Sequence, residues 1–274
     1  MTIPSNIVAP IFAFDVQSAG QFENETRLML TGFVTEDAAA GRLAVGAIAP
    51  CNSAIDARIL CGSGSMLESM FLAARANAPA QEIWVGAVDD SGTAEIRTIT
   101  VGTVPAAGGQ GVLQIAGEPL AIEIAAGATA TAVAASIAAG ITSYFNRLTG
   151  VSLPFTAAVA TNVVTITARH KGLYANGLDI VIPATESGNA FTGVLTLATA
   201  TPGVGSPNIS AVLAAMGDEP FDMIICPFND STNIGLLKTF LSEVSGRWAF
   251  NKQIYGHAFV VKTDTSSNIT TYSL

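Results

Sequence analysis

The sequence predicts an α/β (α+β) layered core domain interrupted by an inserted β-rich domain that carries one helix. Three observations predict it. Strand and helix patterns succeed one another between residues 26 and 92, and the same alternation resumes over 204–274. Between them, residues 93–203 are rich in Thr, Val, Ile, Ala and Gly and almost free of long charged side chains.

Residues 1–25 contain Pro4 and Pro10 and then the alternating run Ile11-Phe12-Ala13-Phe14-Asp15-Val16, which has no helical period and reads as an extended arm with a possible strand. Arg27 to Val34 is a compact apolar run, a buried strand. After a looser stretch, Ser65-Met66-Leu67-Glu68 has the form of a capping box opening a helix. Its apolar face is Met66, Met70, Phe71 and Ala74, and it stops before Pro79. Ile83 to Val88 is a second buried strand, ended by the turn Asp89-Asp90-Ser91-Gly92.

Strand-like runs then follow at Glu95–Val101, Gly111–Ala116, Leu120–Ala125, Phe155–Ala160, Val163–Ala168, Leu178–Ile182 and Gly193–Ala198. In Val163 to Thr167 threonines alternate with Val164 and Ile166, giving one buried and one wet face. One helix interrupts these runs, capped by Thr129 or Thr131, with Val133, Ile137, Ile141, Phe145 and Leu148 as its stripe. Beyond residue 203, Ser206-Pro207 reads as an N-cap and first helical proline, with Ile209, Val212, Leu213 and Met216 inward and Gly217 as the stop. Phe221 to Pro227 is a strand. Asp230 caps a helix whose core side is Ile234, Leu237, Leu241, Val244 and Trp248, and Gln253 to Val261 is strand-like again.

Composition narrows the function classes. Half of the 274 residues are hydrophobic and 12% are charged, against roughly 25% in an average soluble domain. Such a surface suits a chain that covers much of its exterior with copies of itself. The most apolar stretch, Ala121 to Ile141, is mostly Ala, Gly and Thr and is broken by Glu123, so membrane insertion is not expected. Met1 to Asn6 is polar and carries no signal-peptide pattern, which points to a start in a reducing cytoplasm. Cys51, Cys61 and Cys226 stand in apolar contexts and read as buried free thiols. The net charge is −9 and no segment is basic, so direct nucleic-acid contact lacks its main driving force.

Candidate chemistries are few. Gly62-Ser63-Gly64 before a helix start has the form of a phosphate-cradling turn, but the third glycine of the dinucleotide fingerprint is replaced by Leu67. The competing reading is a tight turn before a capped helix. His170, between Arg169 and Lys171 in an expected turn, and His257, in a strand-like run, have no ligand-spaced partners and read as structural. Asp218, Glu219 and Asp222 flank a helix stop and a proline and read as a solvated loop. No catalytic, cofactor-binding or metal-binding set emerges. The expectation is a protein that is not an enzyme and uses no cofactor, the alternative being a nucleotide-binding α/β enzyme using the Gly62-Ser63-Gly64 turn.

Three stretches together resemble one family. Gly62 to Leu67, followed by a Met/Ala helix and Glu82-Ile83-Trp84-Val85, is similar to a region of phage Mu-like contractile tail sheath proteins. Gly217-Asp218-Glu219-Pro220-Phe221-Asp222 resembles that family's lead into a strand, and Gly246-Arg247-Trp248 with Gln253 to Phe259 resembles a third segment. Lys171-Gly172 and Asn176 to Asp179 echo a fourth, except that Ala175 stands where the family has glycine.

The resemblance implies a structural subunit that stacks as hexameric rings around a tail tube and contracts to drive the tube through the host envelope during genome ejection. The implied partners are other copies of itself, the tail tube protein, and baseplate and tail terminator proteins. The implied location is the virion tail, after assembly in the host cytoplasm. It further implies a longer protein, with further core elements and a C-terminal arm beyond Leu274. The core half 204–274 is therefore expected to be incomplete, and this chain alone to remain a monomer or small oligomer. On this reading Ile11, Phe12, Phe14 and Val16 form an inter-subunit, strand-donating arm; an edge strand of the chain's own sheet is the alternative.

Overall fold

A computed structural model describes residues 26–34, 41–184 and 188–261. The arm residues Ile11, Phe12, Phe14 and Val16 lie outside the described residues.

The first third forms β1 (Arg27–Phe33), β2 (Ile48–Pro50), α1 (Ala54–Cys61), α2 (Met66–Asn77) and β3 (Glu82–Val88). The middle forms β4 (Ala94–Val101), β5 (Gly109–Ile115), β6 (Glu118–Ile124), α3 (Ala130–Ser143), β7 (Phe155–Ala160), β8 (Val163–Lys171), a 3-10 turn (Leu173–Gly177), β9 (Ile180–Val181) and β10 (Leu195–Thr201). The last part forms α4 (Ser210–Met216), β11 (Met223–Cys226), α5 (Ser231–Phe240) and β12 (His257–Val260).

Strands from both ends of the chain share one sheet in the order β12-β11-β1-β3-β2, parallel except for β2. A parallel sheet needs both faces covered, and β1 shows how the sequence provides for this. Leu28 and Leu30 pack with Leu67 and Phe71 of α2, while Met29 faces Val212 and Met216 of α4 and Leu237 of α5. The result is three layers, with helices on each face of the sheet.

Residues 94–201 form an antiparallel sheet β10-β4-β8-β7 and a smaller one, β6-β5-β9. Helix α3 and both sheets enclose a separate core that includes Ile99, Leu113, Ile137, Phe155, Ile166 and Phe191. The alternation expected at Val164 and Ile166 holds and continues through Ala168 to His170, all facing inward.

Several expectations are corrected. The looser stretch before Ser65 contains β2 and α1; Ser53 caps α1 by accepting from the amide of Asp56. Helix α4 begins at Ser210 rather than at Pro207, because Asn233 and Asn208 take the amides of Ile209 and Ser210 while the Ser206 carbonyl accepts from Ser91. Helix α3 ends at Ser143 because Tyr144 and Asn146 both turn to Glu118 Oε2 at 2.8 Å, which leaves Phe145 and Leu148 off its stripe. Helix α5 ends at Phe240, so Val244 is 90% exposed. His170 lies at the buried end of β8, not in a turn.

Candidate functional site: the sheet framework, its junction and its open edge

The Gly62–Ser65 turn leads into α2, and the amides of Gly64, Met66 and Glu68, three donors that a phosphate would draw on there, have partners inside the chain. The Gly64 amide donates to Glu68 Oε2 at 2.7 Å, the Met66 amide to His170 Nε2 at 3.1 Å, and the Glu68 amide to Ser65 Oγ at 3.0 Å. The capping box is thus present in altered form: Ser65 caps the Glu68 amide, but the Glu68 carboxylate reaches past the cap to Gly64. A buried carboxylate, 1% exposed and paired with Arg58 at 3.3 Å, occupies the position an anionic ligand would take. Burial pushes the Glu68 carboxyl above its ordinary range, with the Gly64 amide and Arg58 pulling the other way. The glycine at position 64 serves packing. A Cβ there would lie 2.6 Å from the Leu153 carbonyl and 2.8 Å from Arg169 Nε, so only glycine lets the 150–154 loop approach.

The carboxyl ends of parallel strands, where strand order reverses, are the usual ligand crevice of an open α/β sheet. Here β1 and β11 meet at that point. The crevice, about 560 Å³, is lined by Phe33, Met70, Tyr174 and Phe228, with Asp230 at the start of α5. Asp230 already accepts from the amides of Thr232 and Asn233, so a negative charge stands where a phosphate would be drawn. Neither place has the polarity of a nucleotide site.

The opposite, amino-terminal end of the sheet carries a closed network. The Arg27 amide donates to Asp222 Oδ2 at 2.8 Å, and the Arg27 side chain pairs with Glu82 at 3.1 Å and Glu219 at 3.2 Å. Arg247, 3% exposed, donates to the carbonyls of Gly217 and Glu219. The His257 amide donates to the Asp222 carbonyl at 2.8 Å. Trp84 packs edge-on against Phe221 at 5.7 Å. Asp218, Glu219 and Asp222 are exposed, as expected of a solvated loop; Glu219 and Asp222 also tie to Arg27, and Asp218 pairs with Lys252 at 2.8 Å. His257 is exposed on β12, and its ring lies 6.1 Å from that of Trp248. Among the described residues no group of three or more His, Cys, Asp or Glu could hold a metal, and no helix is long and apolar enough to cross a membrane.

Of these residues Glu82, Trp84, Gly217 to Asp222, Arg247 and His257 lie in the stretches that carried the family resemblance, and comparison with known proteins agrees. The chain is 29% identical over 239 residues to the Mu-like prophage FluMu tail sheath protein of Haemophilus influenzae, covering 86% of this chain and 47% of the relative. It is a homologue of a Mu-like tail sheath protein. The chain thus spans about half the length of the curated relative it matches. No family model matches. Two solved structures are similar at low overlap. A sheath tail protein from Listeria innocua is 13% identical, with TM-score 0.32, over 85% of this chain and 47% of that one. Another, from Desulfitobacterium hafniense, is 12% identical, with TM-score 0.34, over 90% and 52%.

Beside its homology to a Mu-like tail sheath protein, the chain has a sheet edge with no partner strand among the described residues. Among them β12 pairs on one side only, with β11, and Phe259 and Val261 are 51% and 67% exposed. A groove of about 470 Å³ runs beside it, lined by Leu237, Leu241, Trp248 and Val260. Sequence reasoning did not find this edge, because Gln253 to Val261 reads as an ordinary strand.

Proposed function

We propose that this chain is a structural subunit of a bacteriophage contractile tail sheath, or of a phage-derived injection machine. The observation that carries the reading is the 239-residue likeness to a tail sheath protein, together with the use of the shared motif residues to hold one sheet. In this reading residues 26–92 and 204–274 are one discontinuous α/β core, 93–203 an inserted domain, and 1–25 an extended arm. The pairing of Thr93 with Val204 supports that division, because the chain leaves and rejoins the core at one point.

Copies assemble as hexameric rings stacked helically around the tail tube protein, between baseplate and tail terminator proteins, in a virion tail built in the host cytoplasm. Contraction drives the tube through the host envelope. Ile11, Phe12, Phe14 and Val16 of one copy add a strand to a neighbour, and the β12 edge, unpaired among the described residues and flanked by apolar side chains, supports such an acceptor. Head-to-tail contacts of this kind generate an open helical lattice.

Immunogold labelling with antibodies against residues 93–203 tests the role on tailed particles released by the strain that encodes the chain. Label distributed along the tail is expected; label absent from tails overturns the reading. Deleting residues 1–20 from the whole encoded protein tests the arm: loss of sheath tubes is expected, and normal assembly and contraction refute it.

A further inference from the structure

The junction between the 94–201 segment and the five-stranded sheet holds one buried imidazole, beside the hydrogen bonds of Arg58 to the Gly150 carbonyl and of Ser63 to Ser152. His170, 1% exposed, is the last inward-facing residue of β8. Its Nε2 accepts the Met66 amide of α2 at 3.1 Å, so the neutral ring carries its proton on Nδ1. Nδ1 lies 3.9 Å from Asp90 Oδ2, beyond direct hydrogen-bond reach. Phe33 of β1 and Tyr174 of the 3-10 turn flank the ring at 5.3 and 5.9 Å.

The titratable and charged groups around it can be named element by element. The loop after β3 supplies Asp90, which already accepts the Lys171 amide at 2.8 Å and lies 3.6 Å from its ammonium. The first turn of α2 supplies Glu68, turned toward Gly64 and Arg58. The 3-10 turn supplies the Tyr174 phenol, and β8 itself Arg169 and Lys171; β1 presents only Phe33. A proton on Nε2 would set two N–H donors against each other at Met66. It would also place a cation at the positive end of α2, in a site closed to water.

We propose that His170 is a proton-sensitive pin: in its neutral form it locks the end of β8 onto the start of α2, and its protonation releases the 94–201 segment from the sheet. Each part has a hydrophobic core of its own, so the parts can separate without either unfolding. Burial lowers the His170 pKa to about 4; Asp90 opposes this and Arg169 adds to it. The sign follows from linkage. The released imidazole binds a proton below about 6.5, whereas the pinned one does so only near 4. The pin therefore holds fully above about pH 6.5 and weakens as pH falls toward 4.

Amide exchange of the intact chain, corrected for intrinsic rates, tests this. The amides of Met66 and Lys171 should lose roughly 50- to 100-fold of their protection between pH 7 and pH 4.5, while those of the β1–β3 ladder and of β8 from Val163 to Ala168 keep theirs. His170→Gln supplies a neutral acceptor that cannot titrate and should abolish the change. If that variant does not fold, a carbon-13 titration of the His170 ring in the native chain decides. A midpoint near 4, with junction exchange rising in step with the protonation of an opened form, supports the pin; a midpoint near 6.5 overturns it. Unchanged protection of Met66 at pH 4.5, or simultaneous loss of protection in every element, also overturns it.

Discussion

Thr93 and Val204 exchange both of their backbone hydrogen bonds, Thr93 N–H to Val204 O at 2.9 Å and Val204 N–H to Thr93 O at 3.2 Å. The same Thr93 carbonyl accepts the Gly172 amide at 3.1 Å, so the end of β8 is drawn into the neck. Through this pair the chain leaves the five-stranded sheet after β3 and returns to it before α4. Its neighbour Gly92 has φ +92, and a Cβ there would come within 1.8 Å of the Val204 carbonyl.

Gly92→Ala is therefore expected to break the neck and cost about 3 kcal/mol, from left-handed backbone strain and displaced strand pairing together. Urea unfolding should show a lower midpoint, and a loss below about 0.5 kcal/mol would contradict the neck's role.

Glu68 joins two elements by satisfying a buried amide and a guanidinium at once. Glu68→Ala should cost about 2–4 kcal/mol, because it leaves the Gly64 amide and Arg58 without their acceptor. Glu68→Gln, which keeps an oxygen in place, should cost less; the two midpoints compared in one denaturant series decide.

Because the amides of Gly64, Met66 and Glu68 are taken by Glu68, His170 and Ser65 and a carboxylate fills the turn, nucleotides should not stabilise the chain. A ligand at a hundred times its dissociation constant adds about 2.7 kcal/mol. A thermal-shift series with ATP and NAD is expected to show no displacement, and a saturable rise would revive the phosphate-turn reading.

Cys51, Cys61 and Cys226 are free and buried. Burial pushes the Cys51 thiol up to about 12 and raises the other two as well. At pH 8 the native chain should react with a maleimide far more slowly than the urea-unfolded chain. Fast labelling under native conditions would contradict the packing of the segment after β2 at Cys51, of α1 at Cys61 or of β11 at Cys226.

The β12 edge offers a test that separates assembly from folding. Phe259→Glu changes a side chain that is 51% exposed, so stability should stay within about 0.5 kcal/mol. Sheath tubes formed by the whole encoded protein should be lost; unimpaired tubes would exclude this edge as the arm's acceptor.

The strands and most helices were legible in the sequence because each buries a face with a regular period. Examples are Leu28 to Phe33 as a continuous apolar run, Val164 to Ala168 at every second position, and Val133, Ile137 and Ile141 at every fourth. Capping side chains at Ser65 and Asp230 marked the starts of helices correctly, and of the two candidates Thr129 and Thr131 the structure uses Thr129, since a cap acts within three residues. Helix ends were less legible. Phe145, Leu148 and Val244 keep the helical spacing, yet distant partners end α3 at Glu118 and a local turn ends α5.

The sequence by itself determined which segments bury apolar faces, and the motif spacing that ties this chain to a tail sheath relative. Only the tertiary structure decided what those motifs do. The Gly64 amide meets a carboxylate four residues on, Arg247 reaches back to the carbonyls of Gly217 and Glu219, and His170 receives an amide from α2. The physical reason is that a hydrogen-bond donor is satisfied by whichever acceptor folding brings within about 3 Å, and for most of these groups that acceptor lies far away along the chain.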